Sequence, residues 1–146
     1  MRPLVLLPLL LIGCAEELPA EPASDDASVG VENAFARPAP KGGTTALYLD
    51  VVNTTARPDT LRAVRAASAA QAMIHQTVEN ADGTTGMRAA AGVPVPAGET
   101  ARLSPGGHHV MLVGLDRALA EGDSLDVEVE LAQAGTLAMR VPVRFD

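Results

Sequence analysis

Leu125, Val127, Val129 and Leu131 alternate with Asp126, Glu128 and Glu130. After the Ala134-Gly135 turn signal, Leu137, Met139, Val141, Val143 and Phe145 repeat the alternation. A period of two sets every second side chain on one face of an extended chain. Two such runs joined by a short turn predict an antiparallel hairpin, each strand with one buried face. On this pattern Met139 and Phe145 belong to the core side.

Upstream segments obey the same rule. Thr45 to Val52 alternates Leu47, Leu49 and Val51 with Ala46, Tyr48 and Asp50, and turn residues from Asn53 to Asp59 end it. Leu61 to Ala66, Thr100 to Leu103 and His109 to Gly114 are further strands. Ala72 to Val78 sets Met73, His75 and Thr77 on one face, followed by the turn Asn80-Ala81-Asp82-Gly83. Val93-Pro94-Val95-Pro96 suits a sheet edge because proline donates no ladder hydrogen bond. The alanine-rich stretch Ala63 to Ala72 has helix propensity, but the close spacing of the surrounding strands argues against a helix. A short helical turn is expected over Leu115 to Ala120. About seven strands with frequent Gly and Pro turns predict an all-β domain, a Greek-key β-sandwich or barrel.

The start of the chain is of another kind. Met1-Arg2 precedes an apolar run from Leu4 to Ile12, too short to span a bilayer and suited to a secretory signal. Leu11-Ile12-Gly13-Cys14 resembles a bacterial lipobox, in which cleavage before the cysteine exposes its sulfur to lipid. Residues 1–13 are therefore expected to be removed. Residues 14–30 are read as a lipidated Cys14 and a tether rich in Glu, Asp, Ala, Pro and Ser. Residues 31–146 are read as one domain, which is expected to act as a monomer in the periplasm and to meet the membrane only through its lipid. Cleavage removes Arg2 and no acidic residue, taking the net charge from −7 to −8 and arguing against nucleic-acid binding. The chain's single cysteine is Cys14, so the domain has neither a disulfide nor a thiolate ligand.

The chemistry-bearing residues fall into the pattern H-x11-M-x21-H-x-M, formed by His75, Met87, His109 and Met111. Neutral imidazole and thioether suit a soft ion of low charge, with Cu(I) the leading candidate, whereas zinc prefers His with Cys or carboxylate. His109 and Met111 lie two apart and share a strand face; Met87 lies just past a turn. Four neutral ligands hold an ion firmly and still permit its release by ligand exchange. Taken singly, a strand methionine is more often core filler, and an isolated histidine is most often a surface or hydrogen-bonded residue. Met73 is read as filler, with a spare thioether as the alternative. His108 points to the face opposite His109 and is read as a non-ligand.

The spacing resembles that of the periplasmic copper chaperone family called PCu(A)C, whose motif is H(M)x10Mx21HxM. Gln76 stands where the optional methionine would be. Ala34-Phe35-Ala36-Arg37-Pro38, Thr45-Ala46-Leu47-Tyr48-Leu49, Val93 to Gly98 and Gly106 to Leu112 also resemble family segments. The resemblance implies a cupredoxin-like, immunoglobulin-like β-sandwich that binds Cu(I) through His75, Met87, His109 and Met111. It further implies delivery to extracytoplasmic cuproproteins, typically the binuclear copper site of cytochrome c oxidase subunit II, alongside a Sco-type thiol protein. Some relatives carry a His- and Met-rich C-terminal tail for Cu(II); this sequence closes at Phe145-Asp146, so that second site is not expected.

Three alternatives stand beside the chaperone. One is a copper-buffering or scavenging lipoprotein with no dedicated recipient. Another is an enzyme or electron carrier. The lack of a Cys ligand counts against a blue-copper carrier, and no Ser-His-Asp, Cys-His or paired-carboxylate arrangement stands out, so no enzymatic activity is expected. The last is a metal-free immunoglobulin-like interaction module.

Overall fold

A computed structural model describes residues 27–145. The signal segment, Cys14 and most of the expected tether lie outside the described residues. Ten strands run in order: β1 (Val29–Ala36), β2 (Thr44–Asn53), β3 (Asp59–Ala66), β4 (Ala69–Glu79), β5 (Thr85–Ala89), β6 (Val93–Val95), β7 (Thr100–Leu103), β8 (His108–Leu115), β9 (Ser124–Leu131) and β10 (Gly135–Pro142). β1 thus begins two residues inside the segment read as tether. No helix of the described residues is long and apolar enough to cross a membrane.

The strands form two packed sheets, one of six strands in the order β1-β2-β7-β8-β4-β5 and one of four in the order β10-β9-β3-β6. This is the all-β sandwich that the alternation predicts. The β9–β10 hairpin pairs Leu131 with Gly135 through to Ser124 with Pro142. Its inward residues Leu125, Val127, Val129, Leu131 and Val141 are buried against Leu47, Leu49, Val51, Ile74, Val110 and Leu112 of the larger sheet. Burying each such side chain contributes about 1.5–3 kcal/mol. β6 lies at an edge of its sheet, as its proline requires.

The remaining expectations divide. Ala63 to Ala72 is extended in β3 and β4 around a tight turn. Leu115 to Ala120 forms no helical turn: bends carry the chain to Leu119, which bridges to Ala39 and is buried. Met139 is partly buried against the core. Phe145 is 59% exposed: Val143 is still bridged to Ala36 and buried, and Arg144 N–H still donates to Ala36 C=O, but Phe145 lies just past these bonds.

β1 contains one irregularity that bears on the site. Glu32 faces Asp50 and Phe35 faces Tyr48, so β1 spends one more residue than β2 between these pairs. The bulge is built on Asn33, at φ 53°, whose Nδ2 donates to Asp50 Oδ2 at 2.9 Å. Asparagine tolerates this left-handed conformation better than most residues. The extra residue turns Phe35 to the outer face and buries Ala36 completely.

Candidate metal site

The candidate residues gather on the face of the six-stranded sheet that points away from the core. On β8, Val110 and Leu112 face inward and are fully buried, so His109, Met111 and Val113 face outward. On β4, Ile74 faces inward, which turns Met73, His75 and Thr77 outward. Register then fixes the neighbours: His75 is the direct partner of His109, and Met73 is the direct partner of Met111.

Met87 lies on β5, a short edge strand that the sequence reading placed in a loop. It is the partner of Thr77, one rung beyond His75, and shares their face. The β4–β5 turn sets this register. Asp82 Oδ1 accepts the Thr84 hydroxyl at 2.6 Å and its backbone N–H at 3.0 Å, and Gly83 takes the turn at φ 80°. Those two bonds, the hydroxyl's first, hold the Asp82 carboxyl below its ordinary range. Met87 is 65% exposed, whereas His109 is only 4% exposed.

His109 is held from behind. Ser104 to Gly107 is a turn closed by Gly107 N–H donating to Ser104 C=O at 3.0 Å. Pro105 and Gly106, at φ 81°, occupy the central positions of a type II turn. The turn presents the Gly107 carbonyl to His109 Nδ1 at 3.2 Å and to the Thr77 N–H at 3.1 Å. A carbonyl only accepts, so Nδ1 carries the proton and Nε2 keeps its lone pair. Nε2 of His109 is buried and has no hydrogen-bond partner, and the same is true of Nδ1 of His75. A buried polar atom left unpaired costs about 1–3 kcal/mol. The two unpartnered nitrogens sit on rings 6.0 Å apart and inclined at 78°, and His109 offers its lone pair there.

Aromatic residues wall the other side. Tyr48, on β2, stacks at 6.4 Å from the His109 ring, and Phe35 lies 5.2 Å beyond Tyr48. The Arg144 guanidinium caps Phe35 at 4.2 Å. The sequence reading missed this wall; its one signal was Tyr48 falling on the outward phase between Leu47 and Leu49. Gln76 is the partner of His108, so both lie on the face opposite the two imidazoles.

Among the described residues, no three His, Cys, Asp or Glu come together as a group able to hold a metal. The soft side chains on the same face as the two imidazoles are the thioethers of Met73, Met87 and Met111. That donor set selects soft ions over zinc, calcium or magnesium.

Fold and face together define a PCuAC-type domain. The apo PCuAC domain from PmoF1 matches with a TM-score of 0.69 at 25% identity, over 82% of this chain and 98% of that one. CuI-DR1885 from Deinococcus radiodurans matches with a TM-score of 0.63 at 26% identity, over 83% of each chain. The copper-bound PCuAC domain from PmoF2 shares the fold, with a TM-score of 0.67 at 24% identity over 82% of this chain and 97% of that one. In sequence, "Putative lipoprotein Lxx21020" of Leifsonia xyli subsp. xyli is 34% identical over 137 residues, covering 92% of this chain and 82% of that protein. The family described as "Putative lipoprotein LpqE-like" matches residues 29–143, and the chain belongs to this LpqE-like, PCuAC-type family.

Proposed function

We propose that this protein is a copper(I) metallochaperone, in which His75, Met87, His109 and Met111 hold the ion. One observation carries the reading: two buried imidazole nitrogens without partners lie on directly paired residues of a methionine-bearing face. The copper-bound state of two PCuAC relatives supports it.

In this reading the ion is cargo. Neutral ligands leave Cu(I) its single charge, and the buried His109 side favours the ion of lower charge over Cu(II). Gly107 fixes which nitrogen of His109 is offered. The exposed Met87 is the ligand an acceptor reaches first, so release proceeds by exchanging thioethers one at a time. Lipid on Cys14 would keep the protein outside the cytoplasm, where a thioether site resists the oxidation that forms disulfides. The proposed recipient is an extracytoplasmic cuproprotein, the binuclear copper site of cytochrome c oxidase subunit II, with a Sco-type thiol protein as co-worker.

The test is anaerobic Cu(I) titration against a chromophoric chelator, followed by mixing with the apo oxidase copper domain, with and without the Sco-type protein. Uptake of one Cu(I) and its appearance on the oxidase domain is the expected result. Uptake without transfer leaves the buffering reading. No uptake defeats both.

A further inference from the structure

We propose that Met73 is a fifth copper donor that shares one coordination position with Met87. This rests on the copper site proposed above and adds a residue to it. Direct antiparallel partners have Cβ atoms about 4.5–5.5 Å apart, and diagonal neighbours about 7–8 Å. Met73 faces Met111 across β4–β8, on the rung next to His75–His109. Its position relative to the two imidazoles therefore mirrors that of Met111: two residues along the strand from one and diagonal to the other. Met87 is diagonal to His75 but a full strand further from His109, because β4 stands between β5 and β8.

The compact group of soft donors on this face is thus the square His75, His109, Met73 and Met111, with Met87 outside it. Met73 is 39% exposed and sits in the β4 segment before Ile74, where β5 does not pair. Met73 lines a groove with Ala72 and Met139 at this unpaired edge and is not buried in the core, so taking up copper would turn its thioether toward the imidazoles. Two thioethers competing for one position give a carrier a built-in exchange step: Met73 holds the ion while Met87 swings out to an acceptor.

The chain has five methionines, so methyl NMR resolves the question directly. The full chain, purified in detergent with 13C-methyl methionine, is titrated with Cu(I) under anaerobic conditions, and M73L, M87L, M111L and M139L assign the signals. Shifts are read against an external standard, because Met139 lines the same groove as Met73. The Met73 methyl signal is expected to move together with those of Met87 and Met111. Affinities give the second reading. With two equivalent fillers, M87L loses only about twofold, a statistical factor. M73L/M87L loses about a hundredfold or more, at least the upper end of what removing a residue that only supports a ligand costs. A Met73 signal that stays still while Met87 and Met111 shift overturns this proposal and leaves the four-residue site standing. M87L binding as weakly as M73L/M87L overturns it too. If no copper is retained and no methyl moves, both the proposal and the copper site fall.

Discussion

His75 and His109 are direct cross-strand partners on β4 and β8, their rings 6.0 Å apart, each with a buried nitrogen that bonds to nothing in the protein. Neither residue reaches this state through local sequence. The pairing follows from the register of β4 against β8.

The Pro105-Gly106 turn is expected to act through the tautomer of His109. Gly106 has φ 81°, and nothing within 4 Å would meet an added Cβ, so Gly106→Ala strains the backbone without a clash. The cost should be about 1 kcal/mol of stability. Because the Gly107 carbonyl shifts with the turn, Cu(I) affinity should fall by about tenfold. Chelator competition measures the affinity, and 15N NMR of the imidazole reads which nitrogen is protonated.

Tyr48 is buried beside His109. Tyr48→Phe keeps the ring and should bind Cu(I) like the parent. Tyr48→Ala removes the wall, opens the imidazole to water and should cost about 3 kcal/mol of stability. Urea unfolding and solvent accessibility of His109 check both variants.

The β1 bulge should be sensitive to side-chain shape. Asn33→Val places a β-branched residue at φ 53° and removes the bond to Asp50. About 1–3 kcal/mol of destabilisation is expected, and Asn33→Gly should recover most of it. Thermal unfolding of the two variants distinguishes strain from the lost hydrogen bond.

Asp59 ties β3 to the β9–β10 turn. Burial alone would raise its carboxyl, but backbone N–H groups of Gln133, Thr60 and Ala134 donate to it and hold it below the ordinary carboxylate range. A depressed folded-state value means that the unfolded chain takes up the proton first as pH falls. The stabilisation is present above the ordinary carboxylate range and is lost as pH drops through the folded value. Asp59→Asn should cost about 1.5–3 kcal/mol near neutral pH. Its difference from the parent should shrink under acid, as followed by urea unfolding across that range.

Where burial enforces a period of two, the chain could be read directly. Leu125 to Leu131 and the separation of His109 from His108 both came from that phase, because a one-residue slip would have exposed the core. β5 escaped because Thr85-Gly86-Met87-Arg88-Ala89 has no buried face: it is an edge strand held by backbone pairing, with no buried apolar residue to mark its phase. β1 escaped because the Asn33 bulge breaks its period. Phe145 continued a rhythm one step past the backbone bonds of Val143 and Arg144 that support it. The Gly107 carbonyl, the Tyr48 wall and the Met73–Met111 pair are matters of register between distant strands, which spacing along one chain does not reveal.

Copper K-edge X-ray absorption on the Cu(I)-loaded protein tests the central claim most directly, because it counts the neighbours of the ion by element. The account predicts two nitrogen and two sulfur neighbours, with the His109→Ala/Met111→Ala variant failing to load. A shell of nitrogen and oxygen without sulfur, or a double variant that loads copper as well as the parent, would contradict it.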